Sequence, residues 1–264
     1  MRIPFTQVDA FADRAFAGNS AAVMPLSAWL DDALLLAIAQ ENNLSETAFL
    51  VPDASGAADY ELRWFTPTAE IALCGHATLA SGHVVLSSEP DRDAVTFRTR
   101  QAGVLRVARD GGGYTLALPV YAPHPRALPG VVAALGVMAV ETFWHDAGYA
   151  VAVLADEAAV RACAPDQRAL ACEGRLLVIV TAPGDGSDVV SRAFTPAFGI
   201  DEDPVTGAAH AVIAPYWARR LGRDRFSAVQ ASARGGRIGC RVEGDRVILH
   251  GTCVTTIEGA FLLP

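Results

Sequence analysis

No segment of this 264-residue sequence is apolar for long enough to span a bilayer. Its first residues, "MRIPFTQVDAF", alternate apolar and polar side chains and lack the continuous apolar run of a secretory signal. These two absences predict a soluble, cytoplasmic protein with no membrane partner. Positive charge is also in short supply: the formal net charge is −8, the pI is near 5.2, and no block of like charge occurs. A nucleic-acid partner is disfavoured, because neutralising phosphates takes a cationic surface. Five cysteines, at 74, 163, 172, 240 and 253, form an odd and widely spaced set. In a chain large enough to bury a sizeable core, that spacing argues against a disulfide framework or a CxxC-type zinc site and leaves reduced thiols. No G-x-G-x-x-G follows a strand-like run, so a dinucleotide site has no support.

What is present is a repetition. "RWFTPTAEIALCGHAT" at 63–78 is echoed by "RAFTPAFGIDEDPVTGAAHA" at 192–211, and "RQAGVLRV" at 100–107 by "VQASARGGRIGCRV" at 229–242. Phe65 and Phe194 are 129 positions apart (194 minus 65), and so are Gln101 and Gln230 (230 minus 101). One offset shared by two landmarks argues for duplication, and a period this long is a whole lobe rather than a stacking unit. The reading is an α+β protein of two pseudo-symmetric lobes, 1–122 and 123–264, with room for the chain ends to cross between them. The division is placed at "LPVYAPHPRALPG", 118–130, where four prolines interrupt regular structure.

Period-two patterns predict strands at 3–11, 46–51, 60–65, 95–99, 104–109 and 114–118, then at 148–154, 176–181, 189–194, 237–242 and 246–250. The turn "DGGG" favours antiparallel hairpins over a doubly wound sheet. A helix is expected within 27–42, with Leu30, Leu34, Leu35 and Ile38 on one face and Asp31 and Asp32 in its first turn. A second should run over about 76–86. A third should start near Gly207, with Pro215 kinking it or ending its first part.

The chemistry gathers at these helix starts. In "ALCGHAT" (72–78) and "VTGAAHA" (205–211), a small-residue helix opens at Gly75 and at Gly207. The free N–H groups of such starts are where carboxylates and phosphates bind, so two starts facing one cleft would take a small anionic substrate. Glycine packing is the plainer reading of either turn alone. Cys74 is either a thiolate base favoured by the helix start or a buried thiol in an apolar wall. His76 could hydrogen-bond the substrate or shuttle a proton, or be a satisfied structural histidine. No metal site is expected, since His76, His83 and His210 offer no paired ligand spacing. In "ENNLSETAFL" (41–50), Glu46 stands where a helix has ended and an apolar strand begins. A partly buried carboxylate there can give and take a proton near neutrality, while a solvated strand-end carboxylate is the plainer reading. Asp203 of "DEDPVTG" could cap amides or hold a substrate amine, and Asn19 of "FAGNSAAV" could be only a turn residue.

Five motifs in order, "VDAFADRAFAGNSAAV", "ENNLSETAFL", "FTPTAEIALCGHAT", "FTPAFGIDEDPVTGAAHA" and "VQASARGGRIG", resemble the PhzF-like family of phenazine-biosynthesis isomerases, which share the diaminopimelate-epimerase fold. The resemblance covers essentially the whole chain. It implies two similar lobes, each a mostly antiparallel sheet wrapped around a central helix, with the site between them, catalysis without metal or organic cofactor, and a homodimer. The family's isomerases use a glutamate of "NLSET" to move a proton between two carbons of a dihydro-hydroxyanthranilate, a role that falls on Glu46. His76 and Asp203 would orient the substrate, with Asn19, Cys74, Gly75, Gly207 and Ala208 completing its surroundings. Ser20 replaces the usual proline of the "GNP" turn, and Ala208 replaces a usual serine, removing a hydroxyl expected near a substrate carboxylate. The two-thiol racemases of this fold carry a second cysteine at the other helix start, where "DEDPVTGAAH" has none. The expected function is therefore a cofactor-independent isomerase acting on a small carboxylated molecule. The alternatives are an epimerase pairing Cys74 with a non-thiol partner, and a ligand-binding protein that has lost its chemistry.

Overall fold

The alternating run at the N-terminus forms β1 (Arg2–Ala10), followed by β2 (Asn19–Pro25), α1 (Asp32–Asn42), β3 (Glu46–Pro52), β4 (Tyr60–Phe65), β5 (Glu70–Ile71), α2 (Gly75–Ser88), β6 (Ala94–Arg98), β7 (Val104–Asp110) and β8 (Gly113–Pro119). Then come β9 (His124–Pro125), α3 (Pro129–Leu135), β10 (Glu141–His145), β11 (Tyr149–Val153), α4 (Glu157–Ala162), α5 (Gln167–Cys172), β12 (Leu177–Pro183), β13 (Val189–Thr195), β14 (Ile200–Asp203), α6 (Gly207–Leu221), β15 (Arg225–Gln230), β16 (Gly236–Glu243), β17 (Arg246–Gly251) and β18 (Cys253–Leu262). The computed structural model of the protein describes residues 1–263. It separates into two units, Met1–Ala117 together with the segment from His250 on, and Leu118–Leu249. The division thus falls at Leu118 and again after Leu249, so the closing strand β18 belongs with the N-terminal residues.

In the first unit β1 pairs antiparallel with both β18 and β2. β2 runs parallel to β3, β3 antiparallel to β4, β4 parallel to β6, and β6 antiparallel to β7. The sheet curls around α2, which packs against β1, β2, β3, β6, β7 and β18. Nine of its fourteen residues are buried, from His76 through Gly82 and at Val85 and Leu86, so small residues line most of the helix. Gly82 shows why: a Cβ there would stand 2.4 Å from Val107 Cγ1 on β7. The hairpin turn between β7 and β8 is Gly111-Gly112, with Asp110 paired to Gly113 and Gly111 at φ +56.

The second unit repeats the pattern. β11 is parallel to β12, β12 antiparallel to β13, β13 parallel to β15, and β15 antiparallel to β16. The duplicated "R-x-F-T-P" has a physical cause in both copies. Arg63 Nε and Nη2 grip Glu70 at 2.8 and 2.7 Å while the guanidinium lies 5.0 Å from the Phe65 ring. Arg192 grips Glu202 at 2.7 and 2.9 Å and lies 5.0 Å from Phe194. Each clamp ties the long strand to the short hairpin strand that leads into the buried helix. Removing one partner of such a largely buried pair leaves an uncompensated charge.

Two expectations need correction. α1 begins only at Asp32, with Asp31 as its N-cap and Leu30 ahead of it, and buries Leu35, Ile38 and Ala39, while Leu34 is only half-buried. Pro215 neither ends nor divides α6, which is continuous to Leu221. Proline cannot donate to the carbonyl four residues back, at Ala211, and that carbonyl accepts instead from the Tyr121 N–H at 3.3 Å. The strands β10, β15 and β18 and the helices α3, α4 and α5 were not anticipated by the periodicity.

Gly82→Ala should gain about 1 kcal/mol of helix propensity yet destabilise overall by about 1–3 kcal/mol through overpacking against Val107. Urea unfolding of Gly82→Ala, Val107→Ala and the double variant should show non-additivity, the double variant being more stable than the two losses summed. Simple addition would contradict the contact.

Candidate active site

Parallel pairing places the first residues of β2 and β3 at the same end of the first sheet, where Ala21 stands opposite Glu46. The helix α1 closes with Asn43 in the left-handed region at φ 48, and three residues later Glu46 opens β3. The helix α2 opens at Gly75 with Cys74 as an extended N-cap residue, so His76 lies in its first turn. No side chain caps that turn, leaving its amides without the usual Ser, Thr or Asp acceptor. Asn19, Glu46, Cys74 and His76 are all buried, at 0, 9, 5 and 4 % exposure.

These four side chains meet. His76 Nε2 is 2.8 Å from Glu46 Oε2, yet this oxygen meets no donor in good hydrogen-bond geometry among the described residues; the contact is close but off the N–H axis. On the other side of the ring, Asn19 Nδ2 lies 3.2 Å from Nδ1. Cys74 Sγ is 3.5 Å from Nδ1 and 4.0 Å from Nε2. Burial works against a charge on His76, but the sulfur and the carboxylate beside it outweigh burial and hold the imidazole well above its ordinary value. Burial pushes the Cys74 thiol up to about 11, and the Glu46 charge adds to the effect. Such a thiol is protonated at neutral pH.

Glu46, Cys74 and His76 present ligand-type atoms within 4.8 Å of one another. The 2.8 Å approach of Glu46 to His76 is shorter than the roughly 3.3 Å that separates two ligands on a tetrahedral ion with bonds near 2.0–2.1 Å. That spacing does not fit two ligands of one such ion.

The second unit gathers the other candidates. The helix α6 opens at Gly207, and Ala208 behind it is half-buried. Asp203 does not cap α6; its Oδ2 accepts the Thr206 hydroxyl at 2.6 Å. Gln230, legible in the sequence only as a repeat landmark, is fully buried. Its Oε1 accepts from the Thr206 N–H at 2.8 Å, and its Nε2 donates to the Asp203 carbonyl at 2.7 Å. It thereby fixes the "DPVT" segment that leads into the helix. The only hint of this was an amide side chain ending the apolar strand "RFSAVQ". His210, one turn into α6, has Nδ1 2.8 Å from the Thr206 carbonyl and Nε2 3.4 Å from Ser191 Oγ, and burial lowers it to about 4.

The family model described as phenazine biosynthesis-like protein matches residues 8–259. An uncharacterized isomerase of Pseudomonas aeruginosa is 47% identical over 267 residues, covering 100% of both chains. A crystal structure of a PhzF-family phenazine biosynthesis protein from Enterococcus faecalis has 43% identity and a TM-score of 0.92, with 100% of each chain covered. A hydroxyproline epimerase from Agrobacterium vitis is 12% identical, with a TM-score of 0.65 over 98% of this chain and 92% of that one, and shares the fold alone. The protein is thus an isomerase with an α+β fold that it shares with the hydroxyproline epimerase. It belongs to the phenazine biosynthesis-like protein family. No helix among the described residues is long and apolar enough to cross a membrane.

His210 gives the second unit a defined acid response. Its folded value, about 4, lies below the unfolded value of about 6.5, so below pH 6.5 only the unfolded chain takes up the proton. Stability should fall as pH drops from about 6.5 to about 4, by about 2 kcal/mol at pH 5 for this one group. Denaturant titrations at pH 7 and pH 5 should show that loss shrink in His210→Gln. An equal loss in both proteins would contradict the assignment.

Proposed function

We propose that the protein catalyses cofactor-independent proton transfer on a small carboxylated substrate, with Glu46 as the acid/base that removes a proton from one carbon and returns it to another. The observation that carries this reading is the buried Glu46 carboxylate, held against His76 at 2.8 Å with an oxygen that meets no well-aligned donor. A carboxylate fully satisfied by donors would be a poor base; one beside a single cationic ring keeps a lone pair for a carbon-bound proton. When Glu46 takes that proton it loses its charge, the hold on the imidazolium weakens, and His76 can then donate to the developing negative charge on the substrate. The uncapped first-turn amides of α2 offer a place for the substrate carboxylate. Asp203, with Gly207 and Ala208 at the start of α6, is assigned to the remaining polar groups of the substrate. The methyl of Ala208 can accept no hydrogen bond, which favours a substrate making fewer polar contacts there.

A thiol-based epimerase is the weaker reading. Cys74 is buried and held near 11, and a base must be deprotonated to act. Its burial beside His76 supports a place in the wall of the site rather than a share in the chemistry.

Solvent-deuterium incorporation into a panel of cyclic and amino-acid-like carboxylates, followed by mass spectrometry, should reveal exchange in the wild-type protein. Glu46→Gln should reduce the exchange rate by at least about 10²-fold, while Cys74→Ala should stay within a few-fold. Full exchange in Glu46→Gln would remove the proposal. A bound carboxylate with no exchange in the wild type would favour a binding protein, and loss of exchange in Cys74→Ala with Glu46→Gln unaffected would favour the epimerase.

A further inference from the structure

Asn19 carries more than a turn. The loop between β1 and β2 holds three residues in the left-handed region, Phe11 at φ 56, Phe16 at φ 69 and Gly18 at φ 66. Non-glycine residues rarely adopt that conformation unless their surroundings impose it. Gly18 also leaves no room for a side chain, since a Cβ would stand 2.2 Å from the Ala10 carbonyl oxygen. The buried carboxylate of Asp9 fastens both ends of this loop: Oδ2 accepts the Phe16 N–H at 2.8 Å and Oδ1 accepts the Ser20 hydroxyl at 2.5 Å. The second bond exists because position 20 is a serine, whose hydroxyl can donate. Between these fastened points the fully buried Asn19 side chain is set 3.2 Å from His76 Nδ1.

We propose that Asn19 is a positioning residue for His76 rather than a ligand of the substrate, and that Asp9, acting through Ser20, fixes the strand start that delivers it. The suggestion rests on the acid/base reading above. A side-chain amide suits this task because it serves both protonation states of the ring. With its nitrogen toward Nδ1 it donates to the lone pair of the neutral imidazole. Turned about its last bond it presents its oxygen and accepts from Nδ1–H of the cation. In either state Nε2 stays facing Glu46, so the ring can gain and lose the Nδ1 proton without moving. A carboxylate at position 19 would favour only the cation, and an aliphatic side chain would serve neither state.

The titratable groups facing the ring are Glu46 from β3 and the Cys74 thiol at the cap of α2. Asp9 of β1 is linked to the start of β2 through Ser20. Farther along α2, His83 is engaged by Tyr114 and Thr255, and Arg109 of β7 by the Leu86 carbonyl. Neither is among the principal influences on His76.

The test needs no substrate and no turnover, so its failure can be told apart from failure of the acid/base reading. The full-length protein labelled with ¹⁵N-histidine and ¹⁵N-asparagine is titrated by NMR, with His76 assigned by loss of its signals in His76→Asn. In the wild type the side-chain amide of Asn19 should titrate with the same midpoint as the His76 ring. Because the hydrogen bond to the charged ring is the stronger of the two, Asn19→Leu should lower the His76 midpoint by about one pH unit, and Asn19→Asp should raise it by at least as much. Ser20→Ala should shift it in the same direction as Asn19→Leu, by less. A purely structural Asn19 would alter unfolding temperatures while leaving the midpoint in place. An Asn19 amide signal that stays flat through the His76 transition overturns the proposal without any variant. So does a midpoint unmoved in whichever of Asn19→Leu and Asn19→Asp folds.

Discussion

The contact between the Glu46 carboxylate and the His76 imidazole is the constraint around which the first unit is arranged. Two ionisable groups 2.8 Å apart and largely removed from water are stable only if each neutralises the other, because neither could be buried charged alone. Bringing them together requires three backbone events at one end of the sheet. The helix α1 must stop in a left-handed Asn43 so that β3 can begin at Glu46. The helix α2 must start at Gly75 so that His76 falls in its first turn. The strand β2 must run parallel to β3 so that Asn19 arrives at the same edge. The thiol of Cys74 stands 3.5 Å from Nδ1 of the ring.

The duplicated architecture explains how such a helix is held. Both units use the same sequence of parallel and antiparallel pairings, and both fasten the entry to the buried helix with an arginine set over a phenylalanine and gripping a glutamate. The copies then diverge in chemistry. At the start of α2 stand a thiol and a histidine whose hold on its proton is strengthened by its neighbours. At the start of α6 stand Thr206 and an alanine, with Gln230 completing the hydrogen bonds and His210 kept neutral by burial. One start is equipped to carry charge, while the other is a closed hydrogen-bonded scaffold bearing Asp203.

Much of this was legible in the residues because local rules and tertiary structure agree. Alternation marked β1, β3 and β4, glycine marked both helix starts, and the repeated Phe-Thr-Pro exposed the duplication. Glu46 and His76 could be singled out one at a time, but their contact depends on a strand and a helix thirty residues apart, which no periodicity reports. Pro215 does not end α6, because the carbonyl it leaves unmatched, at Ala211, is satisfied by Tyr121 from far upstream, an exchange invisible to a rule about helix interiors. Asn19 looked like a turn residue for the same reason: its partner is His76, reached only once β2 lies beside β3. Gln230 was noticed for its spacing, and its role emerged only with the carbonyl and amide it bridges.

The most direct examination of the central contact is a double-mutant cycle in equilibrium unfolding at pH 7, comparing Glu46→Gln, His76→Asn and the combined variant with the wild type. The account predicts a coupling energy of about 1.5 kcal/mol or more, as for other close, desolvated charge pairs. A coupling near zero would mean that the two groups are neighbours without being partners, and would contradict it.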